Sequence, residues 1–116
     1  MSKRRAGMSI QSLRGYALAL PEVTEEPHFT YASFRVRGKI FVTVPPEGTH
    51  IHVFVDEEDR APALAMYPEY IEKLRWGKKV QGLRIEMGKA QSHVVEALVR
   101  AAWDRKAPKS LKREQV

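Results

Sequence analysis

A chain of 116 residues, 43% of them apolar, has the length of one domain with a real core and no room for a second. It contains no cysteine, which excludes a disulfide framework, a thiol nucleophile and a thiolate metal site, and fits a reducing compartment. The formal net charge of +6 belongs to the ends: residues 1–7 and 104–116 carry +3 each, whereas 8–103 balance 12 basic against 12 acidic side chains. A neutral body with basic ends supports a nucleic-acid surface less than a uniformly basic fold would.

In chain order, residues 1–7 are too polar to bury and read as a disordered basic tail. Ser9 can cap a helix whose Ile10, Leu13, Ala17 and Leu20 share one face, and Pro21 stops it. Pro21 to Pro27 reads as an acidic connector carrying Glu22, Glu25 and Glu26, and His28 to Tyr31 as a short strand. Ser33 to Val44 reads as a β-hairpin, because Phe34 and Val36 alternate with Arg35 and Arg37 before a turn and a β-branched return. Two registers fit it. A two-residue loop at Gly38-Lys39 groups Phe34 and Val36 with Phe41 and Thr43; a three-residue loop ending at Gly38 groups them with Ile40, Val42 and Val44. Under both, Arg35 and Arg37 lie opposite Phe34 and Val36, and Lys39 sits at the tip.

Pro45-Pro46-Glu47-Gly48 turns the chain, and Thr49 to Val55 alternates as a third strand. Ile51, Val53 and Val55 share one of its faces; His50, His52 and Phe54 share the other. Asp56 to Tyr70 reads as a short helix with Asp56 and Asp59 at its positive end, in which Pro62 is tolerable only near the first turn. Ile71 to Trp76 and Leu83 to Met87 read as a second hairpin with Gly77 to Gly82 as its loop. From Ala90 to Lys106 an amphipathic helix carries Val94, Val95, Leu98, Val99, Ala102 and Trp103 on one stripe. Pro108 ends it, leaving a basic C-terminal tail over 108–116. The result is a single domain over 8–107 of two-layer α+β class, in the order α-β3-α-β2-α. It has an antiparallel sheet of about five strands with the terminal helices on one face.

Leu20-Pro21-Glu22-Val23, Glu25-Glu26, His28, the run Phe34-Arg35-Val36-Arg37-Gly38-Lys39-Ile40-Phe41, Trp103 and the ending Ala107-Pro108-Lys109-Ser110-Leu111 resemble the MmcQ/YjbR family over residues 9–112. The resemblance implies a fold similar to secretion-chaperone and frataxin-like two-layer domains. It also implies DNA binding through two hairpin wings, whose loops by position are Arg37-Gly38-Lys39 and Gly77-Lys78-Lys79. One departure is visible: Leu83 stands after Gly82 where the family pattern has an aromatic, and Trp76 is the residue that could compensate.

Cationic hairpin tips contact phosphates by neutralising them and releasing counterions. Arg35, Arg37, Lys39, Lys78, Lys79 and Arg84 form the candidate nucleic-acid-binding group. The competing role is solubility: charges on loops and edges prevent edge-to-edge pairing. His50 and His52 can point the same way on a strand, but a metal site needs a third ligand, with His28 or an acidic residue as the candidates, so no metal is assigned. Glu22, Glu25 and Glu26 with His28 lack the pocket that acid–base chemistry requires. Ser33 lacks a nucleophile setting, and no glycine-rich phosphate loop exists. Trp76 and Trp103 are the candidates for stacking on bases; Trp103 belongs to the core stripe, and for Trp76 both roles stay open. No apolar run approaches the ~20 residues of a membrane span, and no hydrophobic signal core follows Met1-Ser2-Lys3-Arg4-Arg5. The expectation is a cytosolic, non-enzymatic protein without cofactor or membrane contact that binds duplex DNA mainly through its phosphates. The alternative is a protein- or peptide-binding adaptor using the sheet face or an edge, including as a homodimer.

Overall fold

The structure, a computed structural model, describes residues 7–113; of the tail expected to be disordered over 1–7, residues 1–6 lie outside them, whereas Gly7 is held, its N–H donating to the Ala90 carbonyl at 3.1 Å. Ser9 caps helix α1 (Ile10–Ala19), its side chain accepting the backbone N–H of Ser12. Four strands follow: β1 (Val23–His28), β2 (Tyr31–Val36), β3 (Lys39–Val44) and β4 (His50–Val53). Helix α2 (Glu57–Met66) leads to β5 (Ile71–Trp76) and β6 (Lys79–Glu86), and the chain closes with α3 (Ser92–Lys106) and the short α4 (Lys109–Arg113), whose Leu111 is buried. The strands form one antiparallel sheet in the order β1-β2-β3-β4-β6-β5.

The expected class and helix placement are observed, with six strands instead of about five. The added strand is β1, in the segment read as an acidic connector. Thr24, Glu26 and Pro27 are exposed there, so no apolar alternation marks it. An edge strand tolerates proline because one side of its ladder is unpaired. The loop expected over Gly77 to Gly82 is only Gly77-Lys78; Lys79 to Gly82 belong to β6. In the first hairpin the turn residues are Arg37 and Gly38, both with positive φ (51° and 82°), and Phe41 is an extra residue in a bulge. Phe34, Val36, Val42 and Val44 consequently share the buried side, while Ile40 pairs with Arg35 on the opposite one. Pro62 lies in the second turn of α2, beyond the first-turn position expected for it; the N–H it lacks would have reached Glu58, which faces solvent. Asp56 makes no side-chain cap and instead pairs with Arg105 at 2.8 Å.

The helices pack on one side of the sheet. The expected stripe of α3, from Val94 to Trp103, is buried against β3 and β4; α1 packs on α3 and β1, and α2 on β5. Trp103 is fully buried and its indole N–H donates to the Pro21 carbonyl at 3.1 Å, joining α3 to the corner between α1 and β1. Leu83 is fully buried, and Trp76 does not compensate for the missing aromatic there, being 75% exposed. His52 lies half-buried on the side of the sheet away from the helices, where burial first, and then Arg84 and His50, hold its imidazole below its ordinary value against the opposing pull of Glu47.

Two expectations follow for stability. A Cβ on Gly82 would lie 2.1 Å from the Val53 carbonyl oxygen, whereas one on Gly15 in α1 meets nothing within 4 Å. Gly82→Ala should therefore lower stability in urea denaturation by ~3 kcal/mol or more, and Gly15→Ala should raise it by ~0.5–1 kcal/mol. Equal effects of the two changes would contradict the observed β4–β6 approach. Because the folded chain binds the His52 proton less readily than the unfolded chain, this contribution is complete above ~6.5 and declines as pH falls through the lower folded value. The Tm should thus drop between pH ~7 and ~5, and His52→Asn should flatten that decline; an unchanged slope in the variant would contradict the assignment.

Candidate nucleic-acid interface

The β2–β3 and β5–β6 hairpins share a turn length and a bulge, although Lys39 pairs with the buried Val36 and Lys79 with the exposed Trp76. Phe34-Arg35-Val36 turns through Arg37-Gly38 into Lys39-Ile40, and Leu74-Arg75-Trp76 turns through Gly77-Lys78 into Lys79-Val80. Each has a two-residue turn with a positive-φ glycine and one bulged residue, Phe41 or Gln81. Between them lies only β4, whose Val53 pairs with Val42 on one side and Leu83 on the other. The hairpin strands are therefore on the order of 10 Å apart at that level, two inter-strand spacings. Each hairpin continues past Val53 in the same direction, so both tips project from one end of the sheet as two prongs.

The six expected contact residues divide by their partners. Arg37 forks onto Glu22, with Nη2 donating at 3.0 Å, and this bonding is the main reason the Glu22 carboxyl sits below its usual range. Arg35 donates to the Ser33 hydroxyl and the Pro27 carbonyl and lies 4.0 Å from Glu26. Arg84 sits 3.7 Å from Glu72, and its buried Nε has no hydrogen-bond partner among the described residues. These three arginines are engaged within the fold. Lys39, Lys78 and Lys79 are exposed at the prong tips, and among the described residues none of them forms an ion pair. Position, not residue type alone, decides which cations remain available.

Three cations that sequence reasoning left out stand near the prongs. Arg75 is exposed on β5, and Arg105 and Lys106 end α3, where basic side chains suit the negative helix terminus. Burial, then Arg105 and Lys39, push the Lys106 amine below its ordinary value, with Asp56 opposing. Lys39 is thus close enough to α3 for the two ammonium groups to repel. Only the excess of charge over 104–116 hinted at this end of α3.

Behind the prongs, the open side of the sheet forms a trough of about 810 Å³. Its lining includes Ile40, Thr43, His52, Phe54, Leu74 and Val80. Arg60, Arg75, Lys79, Arg105 and Lys106 also line it, and no Asp or Glu does. Two of these are partly neutralised, Arg60 by Glu57 at 3.2 Å and Arg105 by Asp56. The other proposed chemistries find different settings. Glu25 is held by Arg14 at 2.8 Å, and Glu22 and Glu26 face Arg37 and Arg35. The Ser33 hydroxyl donates to the Glu26 carbonyl at 2.7 Å in a buried position. The His50 ring bonds the Thr49 hydroxyl at 2.8 Å, and among the described residues no group of three His, Cys, Asp or Glu is placed to hold a metal.

The model of the family described as YjbR matches residues 18–105, which include both prongs and most of α3. A crystal structure of a Deinococcus radiodurans protein with a DUF419 domain has the same fold, with a TM-score of 0.74, 16% identity, and coverage of 91% of this chain and 86% of that one. At that identity the likeness speaks for the fold alone. No curated protein matches the sequence. The match over most of the chain, containing the hairpin that carried the resemblance, shows that this protein belongs to the YjbR family.

Proposed function

We propose that this protein is a non-enzymatic, cytosolic nucleic-acid-binding domain whose two prongs act as wings on a phosphate backbone. The observation that carries this reading is the pair of hairpins leaving one end of the sheet with Lys39, Lys78 and Lys79 exposed at their tips and, among the described residues, in no ion pair. A lysine ammonium is a mobile point charge suited to phosphate and unsuited to reading bases, so binding is expected to discriminate little by sequence. Among the described residues no helix is long and apolar enough to cross a membrane.

A protein- or peptide-binding adaptor is the second reading. The apolar side chains lining the trough favour it, and its mark would be a partner that binds regardless of the lysines.

The test compares the full chain with two charge variants on duplex DNA by gel shift. The change Lys39→Glu with Lys78→Glu and Lys79→Glu should weaken binding by ~10-fold or more and reduce the magnitude of the log–log salt slope by ~3, about one unit per lost phosphate contact. Changing Lys3, Arg4 and Arg5 to Ala should cost less. Binding that depends only on those terminal residues, or that is insensitive to salt between ~50 and ~200 mM, would overturn the wing reading.

A further inference from the structure

Four large apolar side chains are exposed among the described residues, and two of them, Phe29 at 90% and Trp76 at 75%, rim the trough. Neither placement is explained by packing. Trp76 sits at the end of β5, directly across from Lys79, and cross-strand partners project to the same side. Phe29 holds a turn position with φ 59°, where glycine or asparagine is easier, and gains no burial in return. Its ring meets His28 edge-on at 4.9 Å, and Tyr31, also in the lining, lies 6.1 Å from the lining residue His52. The aromatics therefore stand around a groove that is lined by cations and contains no carboxylate.

We propose that the preferred ligand of this trough is a single-stranded nucleic acid, with bases stacked on Trp76 and Phe29 and phosphates held by Lys79, Arg75 and Lys106. Two physical points decide between single and double strands. A duplex hides its base faces in its own stack, so it can use the prong lysines but not the aromatic rings. A single strand offers both charges and base faces, and a cationic groove interleaved with aromatic rings is the pattern that holds it without sequence preference. The adjacency of indole and ammonium at Trp76 and Lys79 supplies both contacts to one nucleotide. The inference rests on the phosphate-binding reading above and names the strand class that reading leaves open.

The test uses the full chain, a fluorescein-labelled oligodeoxythymidine of ~12 nucleotides, within the usual ~4–16-nucleotide site sizes, and its duplex with oligodeoxyadenosine. Anisotropy should give the single strand at least ~5-fold tighter binding than the duplex, and Trp76→Ala should weaken the single strand by ~10-fold while changing the duplex by less than ~2-fold. Trp76→Phe should restore affinity. The indole emission quenched by the oligonucleotide in the wild type should be unquenched in Trp76→Phe, because the remaining tryptophan, Trp103, is buried in the core. A duplex bound as tightly as the single strand, or a Trp76→Ala variant that binds like wild type, overturns this inference. If the Lys→Glu variant still loses affinity in that case, phosphate binding by the prongs stands. Absence of binding to either oligonucleotide overturns both.

Discussion

The seating of α3 on β3 and β4 sets the shape of everything else. Its stripe from Val94 to Trp103 fills one side of the sheet, and the indole N–H of Trp103 fastens the α1–β1 corner to the same helix. Truncating a fully buried tryptophan of this kind costs ~3–5 kcal/mol, a large share of the stability of a small domain. With the helices gathered on that side, the other side of the sheet is left uncovered. The side chains exposed there, together with Phe29 in the β1–β2 turn, Arg60 of α2 and the end of α3, supply a cationic and aromatic trough instead of a second core layer.

Charge on this surface is sorted by the fold. Of the seven ion pairs among the described residues, six use arginine. Surface pairs of this sort contribute ~0–1 kcal/mol each to stability, but each removes a cation from the pool that an anionic ligand would meet. Arg14 and Arg37 use the fork of the guanidinium to hold Glu25 and Glu22, tying α1 and the first prong to β1 and its corner. Lysines at the prong tips keep their charge facing water. That division suits the two chemistries: a planar donor where geometry is fixed, and a flexible ammonium where the partner arrives from solution.

The sequence displayed the fold unevenly, for identifiable reasons. The helices α1 and α3 and the strand β4 were legible because burial follows a clean period in each: Leu13 and Ala17, the stripe of α3, and the alternation of Ile51, Val53 and Val55. The strand β1 was hidden because an acidic, proline-bearing edge is held by its backbone ladder to β2, which leaves no trace in apolar pattern. Gly82 read as loop punctuation although it is a strand residue that lets the Val53 carbonyl approach. The bulges at Phe41 and Gln81 break the period of their strands, turning Ile40 to the open side with Arg35 and pairing Val80 with Arg75, which no simple alternation predicts. For the candidate site, the prong lysines were legible from turn chemistry. The neutralised arginines were not, since Glu22 and Arg37 are brought together by the corner and the turn, and Arg105 and Lys106 reach the trough only once α3 is seated.

The most direct measurement of the central claim, that ligand meets the prong end and open side of the sheet, is amide and indole chemical-shift mapping of the full chain during titration with oligodeoxythymidine. The account predicts shifts concentrated at Lys39 to Phe41, at Leu74 to Gln81 and at the Trp76 indole, with α1 unaffected. Shifts confined to α1, α2 or the chain ends, leaving the open side of the sheet unchanged, would contradict it.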